Sequence, residues 1–257
     1  MGLVDRAVRQ LQWSVELRGV GGTAALMARR LVGLDKGAKA VERPVHPFDT
    51  ENGVQTGGRI GGSHLGVGHA HDVYNVAYQG TPPSRLVDAV AKWQTLPGTR
   101  SIAECAFFDI GCGKGRAVML ASEMGFREVG GVELDPELAR VGQQNLEAWR
   151  KTGKAKCEVR ITHGDATEVP LPELPCVFFM YNPFRGPVVR KMLARLEAHA
   201  GNRMGEMDVI YLIPNEAAQF AEFSNFRKVW EGMVRMSEED QRWDDSDVED
   251  AGQIWRR

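Results

Sequence analysis

The chain is poor in cysteine. Only Cys105, Cys112, Cys157 and Cys176 stand in its 257 residues, and no two form a C-x-x-C pair. That excludes a dense disulfide framework and reads as reduced thiols in a cytoplasmic protein. Long apolar runs are missing as well. None approaches the roughly 20 residues that cross a bilayer, so no membrane span is expected. Near the N-terminus Asp5, Arg6, Arg9, Glu16 and Arg18 interrupt the apolar residues, so no signal-peptide core forms. Charge of one sign is lacking too. The formal net charge is −2 with 26% charged residues, whereas nucleic-acid binders usually carry a basic excess or stripe. The balance argues against a nucleic-acid partner. No internal repeat is found. What remains is a soluble chain, 43% hydrophobic, large enough for one sizeable core and an extension.

Two textures precede the main domain. Residues 1–43 are helical in pattern. Val4, Val8, Leu11 and Val15 line one side of a helix, and Met27, Leu31 and Leu34 line a second. Such helices pack on the main domain or on a second subunit, with a homodimer as one outcome. Residues 44–80 carry Gly53, Gly57, Gly58, Gly61, Gly62, Gly66 and Gly68 and no periodicity. A stretch of this kind is either a mobile linker or an ordered lid. His46, His64, His69 and His71 fall in it, but no two make an i, i+4 helical pair and no cysteine joins them. No metal site is therefore expected. The domain boundary falls near residue 80: a helical extension with a Gly/His-rich segment over 1–80, and the main domain over 81–257.

From Thr81 onward strand and helix patterns alternate. Thr81-Pro82-Pro83 reads as a helix start with Thr81 as cap. Ala106–Ile110, Val129–Leu134, Cys157–Thr162, Val177–Tyr181 and Val209–Ile213 read as strands. Helices are expected over Arg116–Met124, from Asp135-Pro136-Glu137 to about Arg150, and from Pro187. Asn215–Phe223 reads as a short helix, and Phe226–Trp230 with Gly252–Trp255 as a closing hairpin. This alternation predicts an α/β, doubly wound, mostly parallel sheet with helices on both faces.

The chemistry concentrates at strand ends. Asp109-Ile110-Gly111-Cys112-Gly113-Lys114-Gly115 lies between a buried strand and a helix. Ligands of open parallel sheets bind there, and glycines let the backbone approach them. Glu133 ends the next strand, where a carboxylate can accept both hydroxyls of a ribose. The spacing is G-x-G-x-G, not the dinucleotide G-x-G-x-x-G, and no G-K-[ST] end follows. Asp109 is awkward for a pyrophosphate and suits a cationic ammonium. S-adenosylmethionine has an ammonium, a ribose and no phosphate.

With these residues in view, the sequence resembles the class I S-adenosylmethionine-dependent methyltransferases, in a bacterial type of unassigned substrate. Asp109–Gly115 looks like their first motif and Gly131-Val132-Glu133-Leu134-Asp135 like the second. Gly164-Asp165-Ala166 is similar to the third and Tyr181-Asn182-Pro183-Phe184 to the fourth. The resemblance covers Ala106 to Phe184. It implies a seven-stranded sheet with an antiparallel last strand. Glu133 would hold the ribose, Leu134 would neighbour it, and Asp165 with Ala166 would meet the adenine. The loop of Gly111, Cys112, Gly113 and Gly115 would pass under the methionine tail. Asn182-Pro183-Phe184 is one proline short of the [Asn/Asp]-Pro-Pro-[Tyr/Phe] pattern of nitrogen methyltransferases. It points to a nitrogen acceptor on a protein side chain or small amine, with Asn182, Tyr181 and Tyr78 as candidate catalytic groups. The alternatives are oxygen methylation of a small molecule, an NAD-dependent oxidoreductase, and a non-catalytic cofactor-binding module. The acidic run Glu238, Glu239, Asp240, Asp244, Asp245, Asp247, Glu249 and Asp250 reads first as a solvated loop. If it lies near the cleft, it argues for a cationic substrate.

Overall fold

The computed structural model describes residues 45–257 except 202 and 245. The two expected N-terminal helices, and any dimer made through them, lie outside the described residues. The elements in chain order are α1 (Pro47–Asn52), β1 (Arg59–Ile60), β2 (Tyr78–Gln79), α2 (Pro83–Gln94), β3 (Ala106–Ile110), α3 (Arg116–Glu123), β4 (Glu128–Glu133), α4 (Pro136–Thr152), β5 (Glu158–His163), β6 (Cys176–Tyr181), α5 (Pro187–Ala200), β7 (Met207–Leu212), β8 (Arg227–Arg235), α6 (Glu238–Gln241) and β9 (Glu249–Arg256). The segment read as a short helix near Phe220 is 3-10 over Ala217–Glu222.

One seven-stranded sheet organises them, in the order β5-β4-β3-β6-β7-β9-β8. Strands β3 to β7 pair in parallel. The last strand, β9, runs antiparallel to both β7 and β8. Alternate residues of each strand serve opposite faces. Phe107, Phe179 and Ile210 pack with α2, α3 and α4 on one face. Phe108, Phe178, Val209 and Tyr211 pack with α5 on the other. Both faces are covered, which is why β3, β6 and β7 are apolar almost throughout.

Local signals explain most boundaries. Asp135 caps α4 by accepting from Glu137 N at 2.9 Å and Leu138 N at 3.0 Å, with Pro136 in the first turn. Gly153, at φ 71°, closes it. The cap expected from Thr81 is not made. Pro82 occupies the cap position of α2, and a proline offers no side-chain acceptor. Asp240 takes over from a distance, its Oδ2 accepting from Ser84 N at 2.7 Å.

Residues 45–80 are ordered against the domain. Asp49, at the start of this segment, accepts from Thr56 N and Gly57 N, both at 2.8 Å, and from the Thr56 hydroxyl. Arg116 of α3 donates to Thr56 Oγ1 and lies 3.5 Å from Asp49 Oδ1. All three side chains are buried. Lys114 Nζ reaches Gly57 O at 2.7 Å. Asn145 of α4 donates to Gln55 O and Lys114 O and accepts from Gln55 N. The chain then returns through the small β1–β2 sheet, which delivers Tyr78 and Gln79 to the carboxyl end of the large one. Among the described residues no helix is long and apolar enough to cross a membrane.

Candidate active site

Strand order reverses at β3, since β4 lies on one side and β6 on the other. A cleft opens at the carboxyl ends of these strands, where such a fold binds ligands. It measures about 930 Å³ including its open mouth. Its polar groups read across the sheet. Asp165 follows β5, Glu133 ends β4, Asp109 lies in β3, and Asn182 follows β6. Neighbouring strands are about 4.8 Å apart, so the four acceptors form a row.

Asp109 is 4% exposed. Burial, and then the charge of Glu133, push its carboxyl well above the usual range. A cation placed beside it would restore the charged form. Burial also raises Glu133 to about 7, against the two backbone amides it holds. Its oxygens accept from Gly113 N and Asp135 N, both at 2.8 Å. Gly111, Gly113 and Gly115 have φ of 78°, 53° and 85°, a region that suits glycine. A Cβ on Gly113 would lie 2.3 Å from Tyr78 Cε2, so the tyrosine ring caps the loop.

Several expected site residues sit together here. Asp109, Gly111, Cys112, Glu133, Leu134, Asp165, Ala166, Asn182, Pro183 and Phe184 all line the cleft, as do Tyr78 and Tyr181. Gly113 and Gly115 shape the loop without lining it. The tyrosines are poorly placed for proton transfer. Tyr78 donates to Thr56 O at 2.6 Å, and Tyr181 donates to Asp250 Oδ2 at 2.8 Å while accepting from Arg85 Nη1 at 2.7 Å. Burial raises both hydroxyls above their usual range. Each therefore serves the cleft as a wall. Asn182 adopts φ 45°, which asparagine tolerates better than most residues. It is 7% exposed, and its Oδ1 is buried without a hydrogen-bond partner.

Other parts of the site were not foreseen. His71 Nδ1 lies 3.0 Å, and His69 Nε2 3.7 Å, from Asp165 Oδ2, and the three could hold a metal by spacing alone. His69 Nδ1 accepts from His71 N at 3.2 Å, however. In a neutral ring that leaves Nε2 as the N–H end, turned to the carboxylate as donor. Burial pushes the Asp165 carboxyl up, but the Thr167 hydrogen bonds and the charge of His71 bring it below the usual range. The acidic run is likewise not a simple solvated loop. Glu238, Glu239 and Asp247 are exposed, but Asp240 and Asp250 are buried. The reason is local compensation: Asp240 lies 3.3 Å from His46, and Asp250 2.7 Å from Arg85, which is itself fully buried.

A methyltransferase-domain family model matches residues 108–179. Over these residues the chain is similar to a methyltransferase domain. Its matched span runs from β3 through β6, the part that carries Asp109, Glu133 and Asp165. No curated protein matches the chain. Solved structures similar to it include a ribosomal protein L11 methylase from Lactobacillus delbrueckii subsp. bulgaricus (TM-score 0.44, 13% identity, covering 67% of this chain and 77% of that one). Another is a candidate RNA methyltransferase from Pyrococcus horikoshii (TM-score 0.43, 19% identity, covering 68% and 83%). A third is a protein of the NADB-Rossmann superfamily from Streptococcus agalactiae (TM-score 0.44, 11% identity, covering 67% and 67%). Likeness at this level carries no acceptor over to this chain.

Proposed function

We propose that the cleft binds S-adenosylmethionine and directs its methyl group to a nitrogen acceptor. The observation that carries the reading is the buried, unpartnered Oδ1 of Asn182 on the cleft wall. An unpaired buried acceptor costs roughly 1–3 kcal/mol, a cost that a donating N–H would remove. The other acceptors suit the cofactor in the order they stand. Asp109 would take the ammonium, and Glu133 the ribose hydroxyls through the lone pairs its backbone donors leave open. Asp165, with Ala166 and Leu134, would meet the adenine. Bound there, the cofactor supplies a methyl on a sulfonium with a thioether as leaving group. Little further chemistry is asked of the protein. Asn182 orients the acceptor, the ring of Phe184 walls it in, and positioning supplies most of the rate.

The test uses cofactor carrying a labelled methyl group, a fractionated lysate, and the Asn182→Ala variant. Label is expected on nitrogen. The variant should keep cofactor affinity within about threefold, or about 0.7 kcal/mol. Its turnover should fall on the order of a hundredfold, the scale of losing a well-placed polar contact at the reacting centre. Label on oxygen, or loss of cofactor binding in step with rate, would return Asn182 to a structural role.

A further inference from the structure

The acceptor end of the cleft holds a side chain that none of the strand-end motifs accounts for. Gln79, in β2, lines the cleft. Its Nε2 lies 3.1 and 3.2 Å from the two oxygens of Asp244. An ionised carboxylate only accepts hydrogen bonds, so the amide nitrogen must face it. That fixes the orientation of the amide and leaves Oε1 as its remaining polar end. Asp244 is held in turn, its Oδ1 accepting from Ser246 N at 2.8 Å.

The neighbouring groups have the same polarity. Asn182 offers a buried, unpartnered Oδ1. Tyr181 directs its hydroxyl hydrogen to Asp250 and offers the cleft no donor. Charge at this end is acidic as well. Arg85 pairs with Asp250, whereas no cation pairs with Asp244 among the described residues. Arg116 also lines the cleft, but Thr56 and Asp49 engage its guanidinium. A hydroxyl acceptor has one hydrogen to donate. An alkylammonium has three, and carries the charge that Asp244 favours.

We propose that this end of the cleft takes a protonated alkylamine, and that Gln79, held by Asp244, is the residue that specifies it. The proposal rests on the methyl-transfer reading above. In the reaction the ammonium first gives one proton to solvent. The freed lone pair then forms the N–C bond while the C–S bond breaks, and that bonding pair stays on sulfur. The products are a methylammonium, a neutral thioether and the released proton. The same alkylammonium chemistry occurs in free polyamines and in lysine side chains.

The test titrates the full chain, saturated with S-adenosylhomocysteine, by calorimetry. The probes are n-butylammonium, 1-butanol, spermidine and the tripeptide amide acetyl-Gly-Lys-Gly. Saturable binding of the amines is expected, with butanol at least tenfold weaker. Tighter binding of spermidine would name a free polyamine as the source, and tighter binding of the tripeptide a protein lysine. Gln79→Leu should weaken the amines at least tenfold and leave S-adenosylhomocysteine affinity within twofold. Equal binding of butanol and butylammonium, or no amine binding to the loaded protein, would overturn the proposal without any variant. Unchanged amine affinity in folded Gln79→Leu would remove Gln79 from it. Failure of S-adenosylhomocysteine itself to bind would sink the methyl-transfer reading and this proposal with it.

Discussion

On the proposed reading, Glu133 is the residue whose ionisation matters most to cofactor binding. Its carboxyl sits near 7 because burial outweighs the backbone amides that favour its charge. Ribose hydroxyls donate to the carboxylate and not to the acid, so ligand binding favours loss of the proton. The sign follows by linkage: a proton must be released on binding below pH 7, and none above it. The Glu133 contribution to S-adenosylmethionine affinity is therefore expected to fall about tenfold per pH unit below 7 and to level off above it. Glu133→Gln should weaken binding by about 1–3 kcal/mol at pH 8 and flatten the profile. Calorimetry from pH 5.5 to 8.5 checks both, and a profile that stays sloped in the variant would assign the titration to another group. Glu133 and Asp109 were legible in the sequence because each stands at a strand end beside a glycine loop. Gln79 was not, because its partner Asp244 lies 165 residues away and neither belongs to a motif.

Among the elements, the glycine loop and the segment before α2 act as one unit. A side chain at Gly113 would stand in the path proposed for the cofactor. The structure gives a nearer obstacle, the Tyr78 ring, in addition to the positive φ. Gly113→Val should therefore displace Tyr78 as well as the loop. Backbone strain alone is worth about 1–3 kcal/mol. Cofactor affinity is expected to fall at least a hundredfold, with a lower melting temperature. Calorimetry and thermal unfolding of the variant measure these, and wild-type affinity in a folded variant would show that Tyr78 yields freely. The alternation of strands and helices was readable because apolar runs and proline starts are local signals. The cap of α2 and the inward turn of the acidic run were not. Asp240 reaches Ser84 across 156 residues, and Asp250 is buried because Arg85, from another element, compensates it. Local pattern predicts solvation for such acids until their partners are known.

At the scale of the whole molecule, the sheet sets the chemistry by lining up one acceptor per strand end, from Asp165 through Glu133 and Asp109 to Asn182. Among the described residues the row itself holds no cation, and burial lifts two of its carboxyls, Asp109 and Glu133, above their usual range. On the proposed reading a nucleoside with an ammonium tail satisfies it, and a dinucleotide does not. The direct test is a pair of calorimetric titrations of the full chain at pH 8, one with S-adenosylmethionine and one with NAD. Saturable binding of S-adenosylmethionine at one site, with no heat from NAD, is the predicted result. Binding of NAD in that site, with S-adenosylmethionine failing to compete, would contradict it.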